Sequence, residues 1–445
     1  MSLTKNRFHQ SIFYFLISLL IVFNGFSNYD LFIQINFILI SLFFLICFKD
    51  INYKAHIKKF FLDNRIILII YFIFLSYIIF QIVLIPIELL KFFSPAKYKI
   101  LIELGQPKFF STISLDPSKT FFHFLNYFSL FLYFLIFKII FYKEIHLLRF
   151  YLYILSAGFI SSLVGVYFFL IGNPDFLFIS NSSYASSATG FFINRTVFAC
   201  FLNLSFLVGI EYLSLIDNYS KKKIKFFYRK VYVRLFLLFI TIGIITSSSK
   251  IGNFLFIVII LCYLIKFLFN KNKSKYLAYT LLVIILFDIF ILGFYFGGTK
   301  LLERFYFLQD DLSNYTGSLN NFDSLNRADI VRFSLNQFLQ FKFFGYGVGA
   351  YEIIFKVFNN NSFFFANHAH SDIIEFLGEL GILGFSILCY LLLKLLKKIN
   401  LKITKNIFLI IYLITLLIFD FSFHIFLIQL IFILLISLNI KKTQI

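Results

Sequence analysis

Tryptophan, internal repeats and paired cysteines are all missing from this 445-residue chain. Its four cysteines, Cys47, Cys200, Cys262 and Cys389, each lie inside an apolar run and show no metal-ligand spacing. The sequence therefore indicates neither a disulfide framework nor a zinc site, and the cysteines are predicted to be packing residues. The missing repeat disfavours a transporter built from two related halves. The missing Trp beside 71 Phe and 27 Tyr, with an excess of Ile, Lys and Asn, reflects AT-rich codons rather than function.

Charged residues are also scarce, at 14% of the chain, whereas 60% of residues are hydrophobic and the mean hydropathy is +0.89. Repeated apolar runs of membrane-spanning length identify the bilayer core as the solvent of this protein. The net charge of +20 would indicate a nucleic-acid partner in a soluble protein. In a membrane protein, Lys and Arg instead accumulate in cytoplasmic loops, so no nucleic-acid partner is predicted.

The apolar runs predict an all-α, polytopic transmembrane helical bundle of about 12 helices. They cover residues 11–26, 31–48, 66–85, 121–141, 150–171, 196–216, 235–249, 251–268, 276–296, 378–393, 406–419 and 422–439. The first run follows Lys5 and Arg7 but lacks a small-residue cleavage site, so it is interpreted as a helix rather than a signal peptide. Most Lys and Arg fall in segments that are cytoplasmic when both termini are cytoplasmic, which favours that orientation.

Three loops of substance then lie on the outer face, at residues 86–120, 172–195 and 297–377. The last loop is far longer than an ordinary connection, so it is predicted to carry helices of its own and to close over a site. One such helix is predicted from Ser324 to Phe341.

A glycine-rich loop, Phe344 to Ala350, follows this helix and formally satisfies the pattern Gly-x-Gly-x-x-Ala. A nucleotide site is disfavoured, because no strand precedes the loop and it faces a compartment without nucleotides. The pattern predicts a tight turn whose amides lie near an anion.

A dense polar cluster lies at the start of the apolar run 378–393. Its members are Asn367, His368, His370, Ser371, Asp372, Glu375 and Glu379. If the stretch is helical, His368 shares a stripe with the three acids while His370 faces another way. Glycines at positions 378, 381 and 384 would let a neighbouring backbone approach and hold this end in place. Two interpretations fit: a site built around His370, and an interfacial helix start whose polar groups face water.

Basic side chains stand at three outer positions, Arg195, Lys250 and Arg327. Arg195 and Lys250, each taken alone, are explained by snorkelling to water from a helix end. Together with Arg327 and His370, they suit a ligand that carries a diphosphate. Only 9 of the 41 basic residues are Arg, yet four of those lie in the outer loops. The placement of these arginines indicates positions where a guanidinium group binds phosphate through two parallel hydrogen bonds, which Lys cannot form.

The chain resembles the O-antigen ligase and polymerase family of bacterial membrane glycosyltransferases. The family's ligase signature is His, then Asn, Ser or Gln, nine residues, Gly-x-x-Gly and an aromatic residue or Thr. His370, Ser371, Gly381, Gly384 and Phe385 meet it in full. Looser similarities lie at residues 114–117, 190–201, 249–250, 326–327 and 345–349. The resemblance gives a core at residues 111–395, flanked by helices at 1–110 and 396–445.

The resemblance implies a GT-C-like enzyme, independent of metal and cofactor, that works at the periplasmic face of a bacterial inner membrane. His370 would be the general base that deprotonates the acceptor sugar, and Arg327 would hold the diphosphate of an undecaprenyl-diphosphate-linked donor. Lys250 and Arg195 would assist, although the family usually has Arg where Lys250 keeps only the charge. The supporting residues would be Asn367, His368, Ser371, Glu375, Gly381 and Gly384. The acidic stripe is interpreted as a solvated or His-orienting face rather than a cation site.

The implied chemistry agrees with the residue types. A neutral imidazole suits abstraction of a hydroxyl proton, and a diphosphate neutralised by cations leaves without a general acid, so the anomeric carbon should invert. The acceptor is lipid A-core for a ligase and another repeat unit for a polymerase, and both fit. The alternative is a transporter or flippase of lipid-linked glycan, which would use Glu211, Asp288 and His123 in the spans. A chain-length regulator is a further candidate partner.

Overall fold

A computed structural model describes residues 2–23, 29–49, 51–105, 109–174, 186–219, 224–269, 279–284, 286–287, 327–359, 365–401 and 403–438. Three sequence features lie outside these residues: Asp288, most of the predicted span 276–296, and Arg304, which is one of the four arginines of the predicted outer loops. The regular structure is almost wholly helical, as the apolar runs predict. The exception among the described residues is a short antiparallel pairing of Ile85–Pro86 with Phe110–Ser111.

The helices follow one another along the chain as α1 (Ser2–Val22), α2 (Asp30–Phe48), α3 (Ile51–Asp63), α4 (Arg65–Ile82), α5 (Ile87–Phe93), α6 (Pro95–Glu103), α7 (Pro117–Ile140), α8 (Glu144–Leu170), α9 (Arg195–Tyr219), α10 (Ile224–Thr246), α11 (Lys250–Phe269), α12 (Arg327–Gln340), α13 (Tyr351–Phe358), α14 (Asp372–Lys397), α15 (Thr404–Phe419) and α16 (Phe426–Ser437). Between α15 and α16 lies the 420–424 turn, which contains a 3-10 helix at Ser422–His424.

Seven helices in the described part of the chain are long and apolar enough to cross a membrane: α2, α4, α7, α8, α9, α11 and α14. The shorter apolar helices α15 and α16 coincide with the last two predicted spans. Helices α1 and α10 coincide with the predicted spans 11–26 and 235–249. The prediction of an all-α, polytopic membrane protein is therefore confirmed.

Helix α9 lies at the centre of the bundle, where 94% of its apolar stretch is buried, and packs against α8, α10 and α11. The side-chain amide of Asn203 donates to the carbonyl oxygens of Ala199, at 2.9 Å, and Gly252, at 2.8 Å. A hydrogen bond of this kind is favoured between membrane helices, because a donor in hydrocarbon has no water to bind. The amide thereby ties α9 to α11.

Helix α14 is interrupted at Gly381, where φ is +63° and ψ is −179°. The amides of Ile382 and Leu383 lose their helical acceptors at this break. They donate instead to the carbonyl oxygens of Lys342 and Phe343, at 2.8 and 3.3 Å. The segment after α12 therefore replaces the missing helical acceptors and keeps these buried donors satisfied.

The glycine-rich loop docks on the other side of the same break. The amides of Tyr346 and Gly347 donate to the carbonyl oxygens of Gly378 and Glu379, at 3.0 and 3.2 Å. The buried side chain of Gln81, at the C-terminal end of α4, also donates to the Glu379 carbonyl, at 2.9 Å. The close backbone approach predicted for the glycines of this segment is thus confirmed.

A small hydrophobic core forms from α12, α13 and the stretch before α14. Its buried members are Ile330, Phe341, Tyr346, Ala350, Tyr351, Ile354, Phe355, Ala366 and Ala369. The hydroxyls of Ser334 and Tyr351 meet at 2.8 Å and join α12 to α13. The predicted helix of the long loop is confirmed by α12, and this core packs directly beside His370 through Ala369.

Replacement of Gly381 by Ala should destabilise the protein by about 3 kcal/mol or more, as expected for a clash in a packed interior. A Cβ at this position would stand 2.5 Å from the backbone nitrogen of Gly345. Gly105→Ala is the matched control, because φ is +64° there but nothing lies within 4 Å of the added Cβ. The control should lose only the backbone term of about 1–2 kcal/mol. Thermal unfolding followed by circular dichroism measures both losses, and equal losses would contradict the tight packing at the break.

Candidate active site

His370 stands two residues before α14 in a left-handed backbone conformation, with φ at +55°. A non-glycine residue adopts this conformation at a cost of about 1–3 kcal/mol, so neighbouring contacts must impose it. The side chain is half-buried, and its Nδ1 is buried without a hydrogen-bond partner among the described residues. The helical arrangement considered for His368 and His370 does not occur, because α14 begins only at Asp372.

Glu375 holds the two residues that precede His370. One carboxylate oxygen lies 2.8 Å from Nδ1 of His368, and the other accepts a hydrogen bond of 2.8 Å from the amide of Ala369. The carboxylate belongs to the first turn of α14, where the helix dipole favours a negative charge. The backbone is therefore fixed immediately before His370.

The 420–424 turn covers the same segment from the other side. The amide of Asp372 donates to the carbonyl oxygen of Asp420 at 3.0 Å. The ring of Phe421 stacks on His368, with centroids 4.5 Å apart and an interplanar angle of 8°. The same ring meets His370 edge-on at 5.3 Å. His370 is thus held between α14 and the turn.

His424 of the 420–424 turn lies among three buried acids of α14, and we call these four residues the carboxylate cluster. Nδ1 of His424 is hydrogen-bonded to Asp372, while Nε2 of the same ring lies 3.7 Å from Glu375 and 3.5 Å from Glu379. Burial opposes a charge on the imidazole, yet Glu375 and Asp372 raise the pKa of His424 well above its ordinary value. The cluster fixes the turn onto α14.

Glu379 extends the carboxylate cluster to the glycine-rich loop, because its Oε1 accepts a hydrogen bond of 2.8 Å from the amide of Gly349. The anion predicted near the amides of this loop is therefore a carboxylate of the chain itself. The ring of His123, in α7, packs against Gly349 so closely that a Cβ there would stand 2.5 Å from the ring Nε2. Four of the seven histidines converge here: His123, His368, His370 and His424.

Arg327 opens α12 and is exposed. Its guanidinium lies close enough to His370 and Asp420 for its charge to act on both. Burial first, and then the charge of Arg327, lower the pKa of His370 to about 4. His370 is therefore neutral at physiological pH and lies beside an exposed cation.

Arg195 and Lys250 begin α9 and α11, and contacts between their neighbours bring the two positions together. The hydroxyls of Thr196 and Ser249 meet at 3.2 Å. Arg195 donates to the hydroxyl of Ser187 at 3.3 Å, and Lys250 is exposed. The structure therefore places the first residues of α9 and α11 next to each other.

Helix α9 connects this pair to the 420–424 turn. The hydroxyl of Tyr412 donates to the carbonyl oxygen of Cys200 at 3.3 Å, and Ser422 lies within hydrogen-bonding reach of the Cys200 thiol. Cys200 is little more than one helical turn from Arg195. The two cationic positions therefore lie at the same end of the bundle as the turn that covers His370.

The other predicted supporting residues have structural contacts. Asn367 is exposed, whereas Ser371 is buried and donates to the carbonyl oxygen of Leu417 at 3.3 Å. Gly384 lets α4 approach, since a Cβ there would stand 2.9 Å from Cδ1 of the Tyr77 ring and closer still to its Cε1. Gly381 makes the helix break described above.

Three residues of this site were missed as site residues from the sequence: His123, Asp420 and His424. His424 follows Asp372 by 52 residues and belongs to a different helical hairpin, so no local spacing joins them. The available signal was a short polar group, Asp420, Ser422 and His424, set between two apolar runs. Polar residues placed so near membrane depth are rarely without a structural or functional role.

Comparison with known proteins supports the motif-based interpretation. Residues 235–389 match a family model described as O-antigen ligase. No curated protein matches the chain. The matched residues include Lys250, Arg327, the glycine-rich loop and the whole His370 to Phe385 motif, whereas Arg195 and the 420–424 turn lie outside them. By this match and by that motif, residues 235–389 are similar to the O-antigen ligase family of membrane glycosyltransferases.

Proposed function

We propose that the protein transfers an oligosaccharide or polysaccharide from an undecaprenyl-diphosphate-linked donor to a glycan or lipid A-core acceptor. The observation that carries this proposal is the neutral imidazole of His370, on a left-handed backbone and within electrostatic range of the exposed guanidinium of Arg327. The reaction takes place at the periplasmic face of the inner membrane, with both termini in the cytoplasm, because that orientation puts most Lys and Arg inside.

In the proposed reaction, His370 is the general base. The acceptor hydroxyl oxygen attacks the anomeric carbon of the donor, its proton passes to the imidazole, and the bond from that carbon to the diphosphate oxygen breaks. Attack opposite the leaving group inverts the configuration. Arg327, with Lys250 and Arg195, stabilises the departing polyprenyl diphosphate, which therefore needs no general acid and no metal.

The surroundings of His370 supply the positioning that such a reaction requires. Glu375 fixes the backbone on one side, and Asp372 anchors the covering 420–424 turn on the other. A base that is already held in the reactive geometry does not lose conformational entropy when the reaction begins. Removing that entropic cost is a large part of how enzymes lower a reaction barrier.

The transporter alternative receives less support. A transport path needs ionisable groups at mid-membrane depth. Glu211 is instead paired with Lys266 at 3.2 Å and hydrogen-bonded to Tyr263. His123 packs beneath the glycine-rich loop, and Asp288 lies outside the described residues.

The acceptor separates a ligase from a polymerase. Deletion of the gene followed by gel analysis of surface glycan distinguishes them, because the two reactions fail in different ways. Loss of all glycan from lipid A-core identifies a ligase, and a product carrying one repeat unit identifies a polymerase.

His370→Gln should lower the transfer rate by about 10²–10⁴-fold, which is the usual contribution of a general base. The matched control is His146→Gln, at a buried histidine of α8 that contacts the carbonyl oxygen of Ile140 at 3.2 Å. Purified protein in detergent, supplied with lipid-linked donor, measures transfer without two sides to transport between. Full activity of the His370 variant would remove this residue from the reaction.

Arg327→Ala should raise KM for the donor and lower kcat, by about 10²-fold or more in kcat/KM, because one charge-assisted contact to the diphosphate is lost. Arg327→Lys should fall between this variant and the natural protein, since it keeps the charge and loses the fork. Lys356→Ala is the control, at an exposed cation of α13 that pairs with Glu352 at 2.8 Å. Equal kinetics for the Arg327 and Lys356 variants would contradict the proposed diphosphate contact.

The pH dependence of kcat/KM should reflect the lowered pKa of His370. Arg327 and His368 disfavour its charged form and Glu375 favours it, and the balance with burial puts the pKa at about 4. The basic, neutral form therefore persists on acidification, and activity should hold between pH 7.5 and pH 5.5. A base with the ordinary pKa of about 6.5 would lose roughly nine tenths of its activity at pH 5.5. A loss of that size in the natural protein would contradict the burial and charge effects described for His370.

A further inference from the structure

Two buried polar atoms of the carboxylate cluster face each other without hydrogen bonds. These are Nε2 of His424 and Oε2 of Glu379, which lie 3.5 Å apart. The two side chains form an ion pair at this distance and are at most 4% exposed, and neither atom has a closer partner among the described residues. Oε1 of Glu375 lies 3.7 Å from the same Nε2. One nitrogen and two carboxylate oxygens thus surround a single buried point, with all three atoms within 4.8 Å of one another.

The outer partners of these three groups match those of metal ligands. A ligating His donates its other ring nitrogen to a carboxylate, and ligating carboxylates are themselves hydrogen-bonded. His424 directs Nδ1 to Asp372, and Asp372 in turn accepts from the amide of Phe423 at 2.9 Å. The ring of Phe376 stacks on His424 at 4.0 Å and fixes its plane. The free nitrogen is therefore held in one direction.

The two acids are oriented in the same manner. Glu375 accepts from the amide of Ala369 through the oxygen that does not face His424, at 2.8 Å. Glu379 accepts from the amide of Gly349, also at 2.8 Å and also through its other oxygen. Each acid thus directs one oxygen toward the point that it shares with His424, and Oε1 of Glu375 also lies 2.8 Å from Nδ1 of His368.

Charge balance favours a cation at this point. Asp372, Glu375 and Glu379 are almost fully buried on neighbouring turns of α14, and a buried carboxylate is costly unless a cation or several donors compensate it. A protonated His424 offsets only one of these negative charges. A divalent ion in place of that proton would contact Nε2 of His424 and Oε2 of Glu379 together and would offset the repulsion between the acids more fully.

We propose that Glu375, Glu379 and His424 bind one divalent transition-metal ion that fastens the 420–424 turn to α14. The imidazole ligand selects a metal such as Zn²⁺ or Mn²⁺, because Mg²⁺ and Ca²⁺ prefer sites made only of oxygen. The ion lies behind His370 and orders the segment that holds it. The proposal goes beyond the transfer reaction, whose diphosphate is stabilised by Arg and Lys without this metal.

The test measures metal binding and stability rather than turnover. Protein purified through a tag without histidines is treated with EDTA, dialysed, and titrated with Zn²⁺ or Mg²⁺ while thermal unfolding is followed by circular dichroism. Elemental analysis of the dialysed complex gives the stoichiometry. Glu379→Gln and His424→Gln remove ligands, Asp372→Asn removes the carboxylate behind His424, and His146→Gln is the buried control.

We expect one Zn²⁺ per chain, a Tm that rises with Zn²⁺ and not with equal Mg²⁺, and the same behaviour in the His146 variant. Glu379→Gln keeps an oxygen for the Gly349 amide, so it should fold and still lose the Zn²⁺-dependent rise. Asp372→Asn should weaken Zn²⁺ binding by about 10–100-fold. If His424→Gln fails to fold, the Glu379 variant alone decides the result.

Two outcomes would overturn the proposal. Natural protein that retains no Zn²⁺ and shows no Zn²⁺-dependent Tm has no metal site in the carboxylate cluster. Stoichiometric binding that survives unchanged in the Glu379 and Asp372 variants belongs to some other part of the chain. Neither outcome bears on the transfer reaction, which the His370 and Arg327 variants test.

Discussion

The break in α14 at Gly381 is the constraint on which the rest of the site depends. A continuous helix would use its own carbonyls and amides and leave nothing for other segments to bind. The break releases both kinds of group, and the segment after α12, the glycine-rich loop and Gln81 of α4 occupy them. Glu379 sits directly before the break, so its carboxylate is fixed toward Gly349 and the carboxylate cluster. Backbone hydrogen bonding in an apolar environment, where unsatisfied groups are expensive, therefore places the polar chemistry.

His370 illustrates how local strain is maintained. Its left-handed backbone costs about 1–3 kcal/mol, and a net hydrogen bond contributes only about 1 kcal/mol. One hydrogen bond to Glu375 before it and one to the 420–424 turn after it together offset much of that cost. The same contacts keep the imidazole half-buried beside Arg327, where burial and positive charge both favour its neutral form. Geometry and protonation state thus have a common origin in how tightly this segment is enclosed.

Features that depend on interactions between nearby residues were predicted from the sequence, whereas features that depend on contacts between distant segments were not. Apolar runs predict the helices well, because burial in a bilayer is a property of a continuous stretch of sequence. The His370 to Phe385 motif is equally local, and the family match agrees with it. The break at Gly381 was not predicted, since a glycine within an apolar run has the same periodicity whether or not the helix continues. His424 and Asp420 were missed because their contacts with α14 cross from one helical hairpin to the next.

Composition and short-range pattern establish that this chain is a polytopic α-helical membrane protein, that a histidine stands beside one apolar run, and that four of its nine arginines lie in the segments 172–195 and 297–377. Those properties depend on composition and on neighbours a few residues apart. The three-dimensional packing places His370 outside the helix, brings Arg327 near it, and joins His424 to three buried acids. These placements depend on how segments that are distant in sequence pack against one another. No short stretch of sequence contains that information, because close packing involves many segments at once.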